Sequence, residues 1–188
     1  MRTLIAGLVL FLGIHALPMI PSLRAALSAR WGESRYKGVF SLISIVGLAL
    51  TVVGYAVADD RTRLFAPVPA ARTIAPFAMV VSFILFAAAN MRGHLRRMVR
   101  HPMLLGLALW ASVHLLANGD RTGTVLFGAF LAYAIVDLAS AVQRGAVKSF
   151  VPVPKHDLIA VFGGVAAALL VMTFHRILFG VPAVAFGA

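Results

Sequence analysis

The sequence predicts an all-α, polytopic membrane helical bundle of about six transmembrane helices. Of the 188 residues, 61% are hydrophobic and only 12% are charged, whereas a soluble domain has roughly 45–50% apolar and ~25% charged residues. Apolar bands of about 20 residues, the length that crosses a bilayer as a helix, recur along the whole chain. Residues 1–188 are therefore expected to form a single transmembrane domain.

The apolar bands are separated by short polar links. They cover residues 3–20, 36–58, 73–91, 102–117, 123–141 and 158–179. The first band leads to no A-x-A cleavage site and contains His15, so we interpret it as a membrane helix rather than a signal peptide. Residues 22–30 mix apolar and basic side chains, which predicts a short interfacial helix. Pro76 is expected in the first turn of the third helix, where proline is tolerated, and residues 118–120 form a turn signal.

Basic residues are distributed unevenly between the two sides of the predicted bundle. The links after bands one, three and five hold 11 of the 17 Lys and Arg residues. The positive-inside rule therefore predicts that these links are cytoplasmic and that both termini lie outside. We attribute the net charge of +11 to this topology and to attraction by anionic headgroups. The expected partner is the lipid bilayer, and no nucleic acid is expected.

The absence of cysteine from the sequence excludes several chemistries. A disulfide framework, a thiolate nucleophile, an Fe–S cluster and a cysteine-bound haem all require this residue. No G-x-S-x-G segment of a serine hydrolase occurs, and no H-x-x-x-H spacing indicates a zinc site.

Ionisable residues inside membrane spans are costly and are therefore functional candidates. These are His15, His114, Asp137 and His175, with His101 at the mouth of the fourth band. The helical rise places His15, Asp137 and His101 in an inner group and the other two in an outer group. We expect Asp137 to pair with Arg144 or another inner-surface base, and His175 to hydrogen-bond a neighbouring helix.

Helical histidines without a competing thiol suit haem b better than most metals. The helical rise separates His15 and His114 by about 12 Å along the membrane normal. By depth alone, His15 would pair better with His101. The residues by themselves therefore leave the choice of ligands open.

Two segments resemble the NnrU family of bacterial membrane proteins. Residues 100–120, RHPMLLGLALWASVHLLANGD, resemble the hallmark segment of that family. Residues 13–18, GIHALP, followed by SLR at 22–24, resemble its N-terminal signature. The resemblance implies a multi-pass protein of the bacterial inner (cytoplasmic) membrane, so the outer side on which the basic residues place both termini is the periplasm. It also implies an association with denitrification, through expression or maturation of nitrite and nitric oxide reductases, so these enzymes or their assembly factors are expected partners.

The same domain is similar to that of the plant zeta-carotene isomerase, a haem b protein of plastid membranes. Its haem ligands match His15 and His114, so the resemblance implies that these two residues bind the haem iron. The depth estimate leaves His101 as the alternative ligand. A membrane isomerase acting on a lipophilic substrate is one alternative function. Another is a membrane methyltransferase, because Arg100-His-Pro with Gly106 resembles the R-H-P-x-Y-x-G motif. Leu104 replaces the tyrosine of that motif, and no Glu-Glu pair occurs. Catalytic residues, and catalysis itself, are left open.

Overall fold

The computed structural model describes residues 1–180 and 183, which form helices joined by short links. The helices are α1 (Arg2–Ala16), α2 (Pro21–Trp31), α3 (Glu33–Ala56), α4 (Pro69–Ala89), α5 (His94–Val99), α6 (Pro102–Asn118), α7 (Arg121–Gln143) and α8 (Pro154–Phe179), with a 3₁₀ turn at Leu17–Met19 after α1. Five of them, α1 with its 3₁₀ turn, α3, α4, α7 and α8, are long and apolar enough to cross a membrane. α6 is apolar but shorter, with 17 residues. The predicted all-α membrane bundle is confirmed.

Proline and turn residues explain where many of these helices begin and end. Pro21, Pro69, Pro102 and Pro154 each occupy the first turn of a helix, where the missing N–H costs nothing and φ is already helical. The predicted turn at residues 118–120 is confirmed. Gly119 ends α6 in the left-handed conformation, and the Asp120 side chain accepts a hydrogen bond from the Gly123 N–H to cap α7.

The structure differs from two sequence expectations. Pro76 lies inside α4 rather than in its first turn, because the helix begins at Pro69. The link between the third and fourth bands contains the short helix α5, which was not predicted. The helix expected at residues 22–30 is present as α2.

The long helices pack in the order α3, α1, α7, α6, α4 and α8. Small residues allow the closest of these contacts, as is common between membrane helices. Gly47 of α3 faces the Phe11 backbone of α1, and Gly164 of α8 faces Ile84 of α4. Gly106 of α6 lies against Ser82 of α4, whose Oγ donates a 2.7 Å hydrogen bond to the Gly106 carbonyl.

The links gather at two ends of the bundle. Links 17–32, 90–101 and 144–153 form what we call the basic end: the Val153 N–H donates to the Arg92 carbonyl at 2.7 Å, and Arg144 Nη1 donates to the Pro18 carbonyl at 3.3 Å. Links 57–68 and 118–121 form the opposite end, where the Leu64 N–H donates to the Gly119 carbonyl at 2.9 Å. α6 runs between the two ends, so six helices connect them despite its shorter length.

Candidate functional site

α1, α6 and α7 meet around a set of aromatic side chains. Phe130 of α7 lies between Phe11 of α1 and Trp110 of α6, with ring centroids 5.9 and 5.5 Å away. Phe127, one turn earlier on α7, contacts Trp110 at 5.2 Å and Tyr55 of α3 at 6.4 Å. We call Phe11, Trp110, Phe127 and Phe130 the aromatic layer. Its rings belong to the hydrophobic core formed by these helices.

His114 lies on α6, one turn beyond Trp110 and on the side of the aromatic layer nearer the opposite end. Its half-buried ring contacts Trp110 and Phe127, with centroids 5.1 and 4.8 Å apart. Its Nδ1 is 2.8 Å from the Trp110 carbonyl oxygen. The Asn118 side chain donates a 2.6 Å hydrogen bond to the His114 carbonyl.

His15 lies in the last turn of α1, on the side of the aromatic layer nearer the basic end. Its half-buried ring contacts Phe11 at 4.3 Å and Phe40 of α3 at 5.1 Å. Its Nδ1 is 2.6 Å from the Phe11 carbonyl oxygen. His15 therefore has the same local arrangement as His114, with Nδ1 bonded to the carbonyl one turn earlier.

This arrangement determines which ring nitrogen is available in each histidine. A carbonyl oxygen can only accept, so Nδ1 of His15 and of His114 donates, and Nε2 carries the lone pair of the neutral imidazole. A backbone hydrogen bond of this kind fixes the tautomer and orientation of metal-binding histidines. No buried side-chain nitrogen lacks a hydrogen bond in the described part of the chain. Neither Nε2 atom has a hydrogen bond there, so each keeps a lone pair with which it can bind a ligand.

The two histidines lie at different depths. The His15 carbonyl is 3.2 Å from Tyr133 Oη, whereas the His114 ring contacts Phe127, six residues earlier on the same helix. Six residues correspond to about 9 Å along α7. This separation is consistent with the depth difference estimated from the sequence.

His15 and His114 fit a haem group in their donor chemistry but not in their spacing. Their donor chemistry fits, since each histidine offers an unprotonated Nε2. Their spacing does not fit one iron bound by both rings in this conformation, because the side chains of Phe11, Phe130 and Trp110 fill the region between them. Shared ligation requires these aromatic rings to move apart.

A polar cluster joins α7 to the end of α1 on the His15 side. Tyr133 Oη lies 3.0 Å from Asp137 Oδ2 and 3.2 Å from the His15 carbonyl. Arg144 lies 3.7 Å from the Asp137 carboxylate and also donates to the Pro18 carbonyl. The predicted pairing of Asp137 with Arg144 is confirmed. Tyr133 was missed, although its position one turn before Asp137 in α7 is the signal that could have identified it.

The other two candidate histidines lie near the ends of their helices, His101 just before α6 and His175 in the last turns of α8. His101 occupies the N-cap position of α6 at the basic end, without a side-chain capping bond. The described structure has no hydrogen bond or ring contact between it and His15. His175 lies in the last turns of α8, where its ring packs 4.8 Å from that of Phe179.

The described residues thus define a multi-pass helical membrane protein with two histidines on either side of an aromatic layer. The family model described as NnrU protein matches residues 3–183. The chain therefore belongs to the NnrU family, which confirms the resemblance of residues 13–24 and 100–120. No curated protein and no solved structure matches the chain significantly.

Proposed function

We propose that this NnrU-family protein supports nitrogen-oxide respiration as a haem b protein, with His15 and His114 as the iron ligands. The observation that carries the proposal is the shared Nδ1-to-carbonyl hydrogen bond, which presents Nε2 of each ring as a donor. The association of the family with denitrification supplies the setting, namely expression or maturation of nitrite and nitric oxide reductases. These enzymes or their assembly factors are then the expected partners.

Haem binding by both histidines requires the aromatic layer to open. We expect the layer to open between α1 and α7, because the contact between these helices is made by the rings of Phe11 and Phe130, which can rotate. When bound, a haem with two imidazole ligands supplies a one-electron redox centre in an apolar bundle. The hydrogen bonds from Nδ1 to the carbonyls of Phe11 and Trp110 hold the two imidazoles in the binding tautomer.

The spectrum of protein expressed with ample haem supply tests this proposal. We expect one low-spin haem per chain, with a sharp Soret band and resolved α and β bands on reduction. Replacing either His15 or His114 by alanine should abolish or convert this spectrum, because it removes an axial ligand. His156→Ala is the matched control: it removes a histidine at the start of α8, where its ring accepts a hydrogen bond from the Arg92 N–H, and it should leave the spectrum unchanged. Colourless protein would refute haem binding.

His101→Ala distinguishes the two possible partners of His15. If the His101 variant loses haem while His114→Ala retains it, the ligands are His15 and His101, and the assignment taken from the family resemblance is wrong. We expect the opposite result, since His114 has the backbone hydrogen bond that presents Nε2.

We further infer that the protein lies in the bacterial inner membrane with the basic end in the cytoplasm and both termini in the periplasm. The grouping of 11 of the 17 Lys and Arg residues in the links at one end of the bundle and in the first turns of α3 and α8 next to them supports this orientation. Alkaline phosphatase fused after residue 188 should be active, and a fusion within 92–101 should be inactive. The reverse pattern would contradict the orientation.

A second candidate function is isomerisation of a lipophilic substrate, and the aromatic layer is the observation that favours it. Phe127, Phe130 and Trp110 are flat apolar rings next to His114, and they would line the path of an extended unsaturated molecule when the layer opens. Haem-loaded protein incubated with a cis polyene should change its isomer ratio if this function is correct. An unchanged ratio alongside the expected haem spectrum would leave the non-catalytic role in respiration.

A further inference from the structure

A basic hollow opens at the basic end between α5 and residues 147–152. It has a volume of about 380 Å³ and is lined by Arg97 and Lys148 together with the neighbouring residues of the 147–152 segment. The Arg96 guanidinium packs over the Phe150 ring, 5.4 Å from its centroid, at the same place. Within the described residues, none of these three cations forms an ion pair. The hollow therefore has positive charge that no acidic side chain neutralises.

An apolar groove of about 450 Å³ lies between α5 and the first turns of α8. Leu158, Val161 and Phe162 line it from α8, and Leu95 and Met98 line it from α5. His94 and Asp157, which pair with each other at 2.9 Å, also line it. Met98 and Phe162 are 74% and 71% exposed. Because α8 crosses the membrane, the groove leads from the basic end towards the bilayer interior.

The hollow and the groove meet at α5, where Arg97 lines the first and the next residue, Met98, lines the second. We propose that together they bind an anionic phospholipid, with its phosphate in the basic hollow and an acyl chain in the apolar groove. Unpaired cations beside an apolar channel at the membrane surface match the charge and shape of such a lipid. A zwitterionic lipid would bring a positive group into the same hollow, which is unfavourable.

The contacts of α5 hold this site in place before any lipid binds. The Asp157 carboxylate accepts hydrogen bonds from the backbone N–H groups of His94 and Leu95, both at 2.9 Å, and also contacts His94 Nδ1 at 2.9 Å. A side chain on Gly93 would collide with this carboxylate. α5 is thereby fixed to the first turn of α8, so the hollow and the groove keep their relative position.

Lipid-dependent stability of the purified full-length protein tests the proposal. Phosphatidylglycerol added to protein in detergent should raise the melting temperature, whereas phosphatidylcholine and inorganic phosphate should not. Arg97→Gln combined with Lys148→Gln should weaken phosphatidylglycerol binding by about tenfold or more. Arg30→Gln combined with Arg35→Gln removes the same charge elsewhere at the basic end and should retain wild-type binding.

The groove provides an independent measurement. Phe162→Ala should reduce the phosphatidylglycerol retained in native mass spectrometry, while Phe174→Ala, farther along α8, should not. If inorganic phosphate raises the melting temperature as much as phosphatidylglycerol does, the hollow is a site for free anions and the lipid assignment is wrong. If phosphatidylcholine raises the melting temperature as much as phosphatidylglycerol does, the hollow does not select anionic lipid. The same conclusion follows if the variant lacking Arg97 and Lys148 binds phosphatidylglycerol as well as the variant lacking Arg30 and Arg35 does. These outcomes do not depend on whether the protein binds haem.

Discussion

α1 packs against its two neighbours in contrasting ways. On the α3 side the backbones touch, since a Cβ at Gly47 would lie 2.6 Å from the Phe11 nitrogen and one at Gly54 would overlap the Leu4 backbone. On the α7 side the rings of Phe11 and Phe130 keep the helices apart. α1 and α3 therefore form one rigid pair, whereas the α1–α7 contact depends on side chains that can rotate. An opening for a cofactor is therefore expected at α7.

The largest expected effect comes from breaking the close glycine contact. Gly54→Ala should destabilise the protein by about 1–3 kcal/mol, because the added Cβ meets the Leu4 backbone and the helices must separate. Thermal unfolding in detergent, followed by loss of the monodisperse fraction, measures the change.

Gly38→Ala is the matched control on the same helix. Nothing lies within 4 Å of a Cβ at this position, so the better helix propensity of alanine should stabilise the protein by about 0.4–1 kcal/mol. Equal effects of the two substitutions would show that α1 and α3 are not in backbone contact.

A substitution in the aromatic layer should destabilise the protein less than Gly54→Ala does. Phe130→Leu removes the ring between Phe11 and Trp110, but leucine fills part of the space, so the loss should stay below about 1.5 kcal/mol. The same unfolding measurement applies, with Phe174→Leu as a control at a 47% exposed position. A loss larger than that of Gly54→Ala would mean that the aromatic layer, and not the glycine contact, is the rigid part.

Tyr133→Phe should have a still smaller effect on stability. It removes the hydroxyl shared by Asp137 and the His15 carbonyl, and interhelical hydrogen bonds in membranes contribute about 0.6 kcal/mol on average. Amide hydrogen exchange in residues 13–19 should increase, because this contact ties α1 to α7. Unchanged exchange would show that the hydroxyl does not hold the end of α1.

The smallest effect on stability is expected at the opposite end, where the Asp60 carboxylate accepts a hydrogen bond from Arg121. Hydrogen bonds with Thr62 and the charge of Arg121 hold the pKa of Asp60 below its usual range. A lowered folded-state pKa means that the stabilisation is present above the unfolded value and is lost as the pH falls below about 4. Asp60→Asn should remove this part of the pH dependence of the melting temperature, while Asp59→Asn should retain it.

Composition and helical rise were sufficient to predict much of the fold, because each membrane span needs its own run of apolar residues. Distant contacts explain what was missed. α4 extends back to Pro69 because the Val68 N–H donates to the Leu116 carbonyl and Arg72 donates to Ala117. α5 forms where Asp157, more than 60 residues away, accepts the hydrogen bonds of its first N–H groups. Such partners cannot be identified from local sequence.

The sequence also predicts part of the candidate site, namely the features that depend on spacing along one helix. Asp137 and Arg144 lie seven residues apart, two turns of one helix, so their pairing could be expected before the structure. The depth difference between His15 and His114 also follows from helix length. The aromatic layer could not be predicted, because it depends on which faces of α1, α6 and α7 meet in the folded chain.

Haem uptake by haem-free protein most directly tests whether His15 and His114 bind one iron across the aromatic layer. We expect wild-type protein in detergent to bind one equivalent with a low-spin, six-coordinate spectrum. Phe130→Leu should bind at least as tightly, because less of the layer has to move. A high-spin, five-coordinate spectrum that depends on only one of the two histidines, or no uptake at all, would contradict shared ligation.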